Sequence, residues 1–257
     1  MRGSPVPSGA PASSSSSAPP AGDTRTLEVP SRPLRARVEL TLWTPRGVAD
    51  GTPLPLLVVH DGPEYEAKTG LTGIVAGLAD AGEIAPHRIA LLAPGPRDEW
   101  YSASAFYARA LANEVVPAIG RAVAVEGAPA GLGASLGGLA MLHAQRRHPN
   151  AFGGLFLQSA SFFIPRYDHM EKDFGRYGRI VRFVRGIIRD EAFDHPVPAT
   201  LTCGRDEDNL HNNRRVAAAL KLQGYDTDLH EAPGGHDWEP WRAGLEAHLG
   251  TLLARTG

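Results

Sequence analysis

From Leu34 to Leu42 apolar and polar residues alternate strictly, with Leu34, Ala36, Val38, Leu40 and Leu42 on one side and Arg35, Arg37, Glu39 and Thr41 on the other. A period of two predicts a half-buried strand, antiparallel or near a sheet edge. Leu56-Leu57-Val58-Val59 and Ile89 to Ala93 are instead unbroken apolar runs, closed by His60-Asp61-Gly62-Pro63 and by Pro94-Gly95-Pro96. Such runs predict strands covered on both faces, and their closures read as turns. Gly154 to Ser159, Ala199 to Cys203 and Thr227 to Ala232 predict three more strands. Gly127 to Gly133 has little strand propensity of its own, and a short buried strand is expected there because a Gly- and Ser-rich turn and a helical run come directly after it.

Helical spacing marks Gly70 to Ala81, Ala103 to Ile119, Leu136 to Arg147, Asn209 to Gln223 and Trp238 to Ala254. Ser102 or Ser104 is placed to cap the second of these, and Pro149 stops the third. Strands alternating with helices predict an α/β fold, a mostly parallel sheet flanked by helices on both faces. The connection 162–198 breaks the alternation and reads as an insertion or lid. Within it Ile180, Phe183, Val184, Ile187 and Ile188 form an apolar stripe, with Arg179, Arg182, Arg185 and Arg189 opposite. Those arginines are expected to be a solvated face, the alternative being a lid that contacts an anion.

Composition narrows the picture. The chain has 257 residues, 42% of them hydrophobic and 21% charged, and 26 basic against 28 acidic side chains give a formal net charge of −2. That balance argues against a nucleic-acid or membrane-surface binder running on bulk charge. Residues 1–22, rich in Ser, Pro, Ala and Gly, are expected to be a disordered tail, leaving 23–257 as one domain. Ser and Pro interrupt every candidate apolar core of a secretory signal in the tail, and no stretch is long enough to span a membrane, so a cytoplasmic protein is expected. The single cysteine, Cys203, excludes an internal disulfide and Cys-rich zinc modules.

The sharpest chemical signal is Gly133-Ala134-Ser135-Leu136-Gly137, a G-x-S-x-G between a predicted strand and a predicted helix. In a nucleophile elbow the chain turns abruptly there and exposes a strained serine hydroxyl, and small flanking residues let the backbones pass closely. Serine needs a base within hydrogen-bond reach, itself oriented by a carboxylate. Downstream, Asp206, Glu207 and Asp208 follow one strand, and Pro233-Gly234-Gly235-His236 follows the last. The chain order serine, acid, histidine suits an α/β-hydrolase, with His236 as base; spacing leaves the acid open among the three neighbours. His60 is expected to border the site or to be structural. Gly131-Leu132-Gly133 lacks the third glycine of a dinucleotide fingerprint, and His143 and His148, five apart, do not share a helix face. No cofactor and no catalytic metal are expected.

The segments Val58-Val59-His60-Asp61-Gly62, Gly133 to Gly138, Cys203 to Asn209 and Gly235-His236-Asp237-Trp238 with Trp241-Arg242 together resemble the esterase family of α/β-hydrolases that includes enterochelin esterase and esterase D. The resemblance spans roughly residues 25–250. It implies an α/β-hydrolase fold and a serine esterase acting on a small-molecule ester, such as a catecholate-siderophore lactone or another aromatic or small acyl ester. It implies Ser135 as nucleophile, His236 as base and Glu207, three residues after Gly204, as acid in preference to Asp206. The oxyanion hole would join the Leu136 N–H to one from the His60–Glu64 loop. Pro63 has no N–H, which leaves Gly62 or Glu64, with Gly62 preferred. Trp100, Tyr101, Trp238 and Trp241 are candidates for an aromatic wall. The same scaffold also suits an acyltransferase or an inactive binding protein.

Overall fold

Eight strands, β1 (Gly22–Ser31), β2 (Ala36–Pro45), β3 (Leu56–Val59), β4 (Arg88–Leu92), β5 (Ala130–Ala134), β6 (Gly154–Gln158), β7 (Ala199–Gly204) and β8 (Thr227–Ala232), form one sheet in a computed structural model that describes residues 22–256. Their spatial order is β1-β2-β4-β3-β5-β6-β7-β8. The β1–β2 and β2–β4 pairs are antiparallel, and every later pair is parallel. The alternating segment becomes β2 from Ala36 onward, antiparallel to both neighbours, with Val38, Leu40 and Leu42 buried but Ala36 exposed. Leu34 and Arg35 fall in the turn from β1, where Arg35 adopts φ 50°. The expected tail lies outside the described residues except for Gly22, which opens β1. That edge strand is mostly exposed and carries no apolar period to betray it.

Nine α-helices are described: α1 (Gly62–Thr69), α2 (Leu71–Asp80), α3 (Arg97–Tyr101), α4 (Ala105–Ala110), α5 (Val116–Ala122), α6 (Leu136–Arg147), α7 (Tyr177–Arg189), α8 (Leu210–Leu222) and α9 (Trp238–Thr256). Side chains alternate across the strands, so the sheet separates two cores. Leu56 and Val58 pack with residues of α6, α7 and α8, while Leu57 and Val59 pack with residues of α1, α2 and α9. Among the described residues no helix is long and apolar enough to cross a membrane.

Three expectations need correction. His60-Asp61-Gly62-Pro63 is a helix start as well as a turn: Asp61 adopts φ 51° and Pro63 sits in the first turn of α1, where its missing N–H costs nothing. The single helix expected over Ala103 to Ile119 is α4, a π-helical turn at Leu111–Val115 and α5. Pro117 explains the break, since a proline removes a helical donor and crowds the carbonyl four residues back. Ser104 does cap α4, accepting from the Tyr107 N–H. Finally, Arg179 does not belong to a solvated face. Its guanidinium bonds the Glu99 carboxylate and the carbonyls of Glu99 and Ser102, tying α7 to α3.

Arg88 is fully buried at the start of β4, and its guanidinium donates to the carbonyls of Ala49, Thr52 and Ala124 at 2.7–2.8 Å. The parallel strands therefore begin over a cationic clasp and end at the opposite edge of the sheet, where the chemistry-bearing residues gather.

Candidate active site

Ser135 joins β5 to α6 with φ 55° and ψ −125°, outside the regions an L-residue ordinarily occupies. The flanking glycines make that turn possible. A Cβ on Gly133 would stand 2.5 Å from the Gly137 carbonyl carbon, and one on Gly138 would stand 2.9 Å from the Gly133 oxygen. The turn is tied on both sides, by the Ser135 N–H to the Gln158 carbonyl and by the Ser161 N–H to the Ser135 carbonyl. The Ser135 hydroxyl pairs with the Ser161 hydroxyl at 3.1 Å.

The loop after β7 turns the Glu207 side chain inward and leaves Asp206 and Asp208 exposed. Glu207 Oε2 accepts from His236 Nδ1 at 2.8 Å, and Oε1 accepts from the Ser159 hydroxyl at 2.6 Å and the Gly204 N–H at 2.7 Å. A carboxylate can only accept, so Nδ1 carries the imidazole proton and Nε2 is left as an acceptor. Burial pushes the Glu207 carboxyl up, but its bonds from His236, Ser159 and Gly204 outweigh that and hold it below the usual carboxylate range. The Trp241 indole N–H donates to the Ser159 hydroxyl at 2.9 Å, and its ring meets the His236 ring edge-on at 5.0 Å.

Ser135, Leu136, Glu207 and His236 all line one cavity of about 460 Å³. Ser135 and His236 share this wall without a mutual hydrogen bond; the serine hydroxyl is turned to Ser161. Gly62 does not line the cavity. It opens α1 so close to β4 that an added Cβ would stand 2.3 Å from the Leu91 Cα. Among the described residues neither the Gly62 nor the Leu136 amide has an acceptor, whereas the Glu64 N–H is taken by the Asp61 carbonyl at 3.0 Å. The loop before Gly62 is fixed by a fork from Arg97 to the Asp61 carboxylate at 3.0–3.1 Å.

His60 is structural. It is fully buried, donates from Nδ1 to the Gly137 carbonyl at 2.8 Å and stacks on Tyr101 at 4.4 Å. Burial pulls its pKa down to about 3, with the Arg97 charge acting in the same sense against the Gly137 bond.

A family model described as "Putative esterase" matches residues 31–252. The chain belongs to this esterase family. It is 28% identical over 202 residues to the iron(III) enterobactin esterase of Dickeya dadantii (strain 3937), covering 74% of this chain and 46% of that protein. It is 26% identical over 128 residues to an acetyl esterase of Caldicellulosiruptor saccharolyticus, covering 42% of this chain and 48% of that protein. The chain thus spans about half the length of the curated relatives it matches. A ferulic acid esterase superposes with a TM-score of 0.75 at 21% identity, over 92% of this chain and 100% of that one. The enterobactin esterase of Shigella flexneri, crystallised in the presence of enterobactin, superposes with a TM-score of 0.76 at 21% identity, over 90% of this chain and 59% of that one. Together with the strand order, these likenesses show the α/β-hydrolase fold.

Within this family member the aromatic expectation is corrected. Trp100 and Tyr101 belong to a buried cluster with His60 and Tyr107, and Trp238 packs edge-on against Tyr65. The aromatic rings that line the cavity are Phe163 and Phe174, both from the 162–198 segment, which also contributes Asp168 and Glu171. Ser159 and Ser161 carry no motif. Their one readable signal is position: they follow the carboxyl end of a central parallel strand, where open α/β sheets place ligands.

Proposed function

We propose that this chain hydrolyses carboxylic esters through an acyl-enzyme on Ser135. The observation that carries the reading is the 2.8 Å bond between Glu207 and His236 at the wall of the cavity that Ser135 also lines. Before reaction the Ser135 hydroxyl exchanges Ser161 for His236 Nε2, a rearrangement in keeping with the looser hydrogen bonds of empty sites. As Oγ attacks the ester carbonyl, its proton passes to Nε2 and a C–O bond forms. The carbonyl electrons move onto oxygen, where the Leu136 N–H, with Gly62 as second donor, stabilises the charge. Collapse breaks the bond to the alcohol, which leaves with the proton from Nε2. Water, deprotonated by His236, then attacks the acyl carbon, and the acid departs as Ser135 recovers its proton. Glu207 stays ionised and keeps the imidazole in the required tautomer.

The cavity also bears on substrate. Phe163 and Phe174 offer apolar faces, while Asp168, Glu171, Asp206 and Asp208 line it with no Lys or Arg among them. Ferulic acid, named for one structural neighbour, is an aromatic carboxylic acid. A neutral or cationic aromatic or small acyl ester therefore suits the walls, and a multiply anionic one meets like charge.

Four measurements test this. A fluorophosphonate probe should add its mass to the Ser135 peptide. Ser135→Ala should lower p-nitrophenyl acetate turnover by at least about 10³-fold; unchanged turnover would reject the mechanism. A neutral aryl ester should show a higher kcat/KM than its carboxylated analogue. Partition of the acyl group to added alcohol would instead favour acyl transfer.

A further inference from the structure

The 162–198 segment and α8 line another cavity, of about 300 Å³, whose floor is apolar: Phe163, Ile164, Val181, Val184 and Ile188. Four arginines complete its wall, Arg166, Arg185 and Arg189 from this segment and Arg215 from α8. Phe163 lines both this cavity and the one beside Ser135.

The arginines are distributed unevenly. Those nearby that face other elements are matched by acids: Arg176 and Arg179 pair with Glu99, Arg146 with Asp190 and Arg214 with Glu231. Among the described residues Arg185, Arg189 and Arg215 have no acidic or hydrogen-bonding partner, and Arg166 lies 5.8 Å from the Tyr167 ring centroid. Four guanidinium groups around an apolar floor of this size match a ligand with one anionic head and an apolar body. Arginine meets carboxylate, sulfate or phosphate oxygens through forked N–H donors, and the floor removes the body from water.

We propose that this cavity is a binding site for an amphiphilic organic anion, the arginines holding its head and the Phe163–Ile188 floor its apolar body. The site goes beyond the ester-hydrolysis reading and stands without it.

Decanoate is a suitable probe, titrated calorimetrically into the full chain. It should bind, while decyltrimethylammonium, which reverses the head charge, and inorganic phosphate, which lacks the body, should each bind at least about tenfold more weakly. Replacing Arg185, Arg189 and Arg215 together by Gln should weaken decanoate by at least about tenfold, and replacing them by Lys should recover part of that loss. These side chains are exposed, so the variants should keep the wild-type circular dichroism and melting temperature. Ile188→Trp, which fills the floor from its half-buried rim, should also abolish binding. The proposal is overturned if decanoate does not bind, if the cation binds equally well, or if the Gln set or Ile188→Trp leaves affinity within about threefold of wild type. Unchanged affinity with competitive inhibition of ester turnover would put the anion in the Ser135 cavity, overturning this site and leaving the hydrolysis reading intact.

Discussion

At the scale of single residues, Glu207 is the point on which the site turns. Its buried carboxylate accepts from an imidazole, a hydroxyl and an amide, and each such bond to a charged group contributes about 1.5–3 kcal/mol. Ser159→Ala removes one of them and also orphans the Trp241 indole N–H. The expected loss of stability is of that order at neutral pH. Because the folded carboxyl is depressed, this contribution is complete above the ordinary value of 4.5 and vanishes as pH falls through the lower folded value. The urea-midpoint gap between wild type and Ser159→Ala should therefore narrow as the buffer enters that acidic window, down to the pH-independent cost of the orphaned indole; a constant gap would mean that the serine acts only through Trp241 and packing. Ser135 and His236 are legible in the chain because each stands in a local pattern of glycines at a strand end, whereas spacing leaves the acid open among Asp206, Glu207 and Asp208 and only the family resemblance prefers Glu207. Ser159 and Ser161 are not legible, since a serine without flanking punctuation looks like any loop serine. Trp241 is readable as an aromatic near the site, but its use as a donor to Ser159 is fixed only by three-dimensional packing.

At the scale of elements, the turn from β5 into α6 has no spare room. Gly133→Ala would set its Cβ against the Gly137 carbonyl carbon at 2.5 Å, and neither backbone can retreat without dragging Ser135. A cost of about 1–3 kcal/mol is expected from such overpacking, together with loss of ester turnover. Thermal melts and kinetics on one preparation check both halves, and wild-type values in either would show that the helix can shift freely. The helix after this turn is legible from end to end, because glycines open it and basic residues and Pro149 close it. The segment before it is less so: apolar spacing carries straight through 103–119, and only Pro117 hints that the hydrogen-bond ladder must break. Strand β1 escapes for the opposite reason. An edge strand that buries little needs no apolar alternation, and backbone pairing with β2 is enough to hold it.

At the scale of the whole molecule, alternation of strand and helix patterns suffices to read a mostly parallel sheet, while strand order depends on contacts too distant for any local pattern. Stability in acid is equally global. His60 and His143 are buried and each is pulled down to about 3, chiefly by burial. Both are thus neutral in the folded protein and protonated in the unfolded chain between that value and the ordinary 6.5. Their contribution is intact above 6.5 and declines as pH falls toward 3, by about 1.4 kcal/mol per pH unit for each histidine. Denaturation free energy followed across that window should show the slope, and His143→Gln should reduce it; a flat profile would contradict their burial as neutral groups. Arg88 leads elsewhere. One planar cation knots three distant carbonyls at the end of the sheet remote from Ser135, and an ammonium offers no rigid fork with which to reach them all. Arg88→Lys should accordingly yield a protein that melts early yet turns over normally while it lasts, so that endurance and chemistry in this chain are held by separate hands.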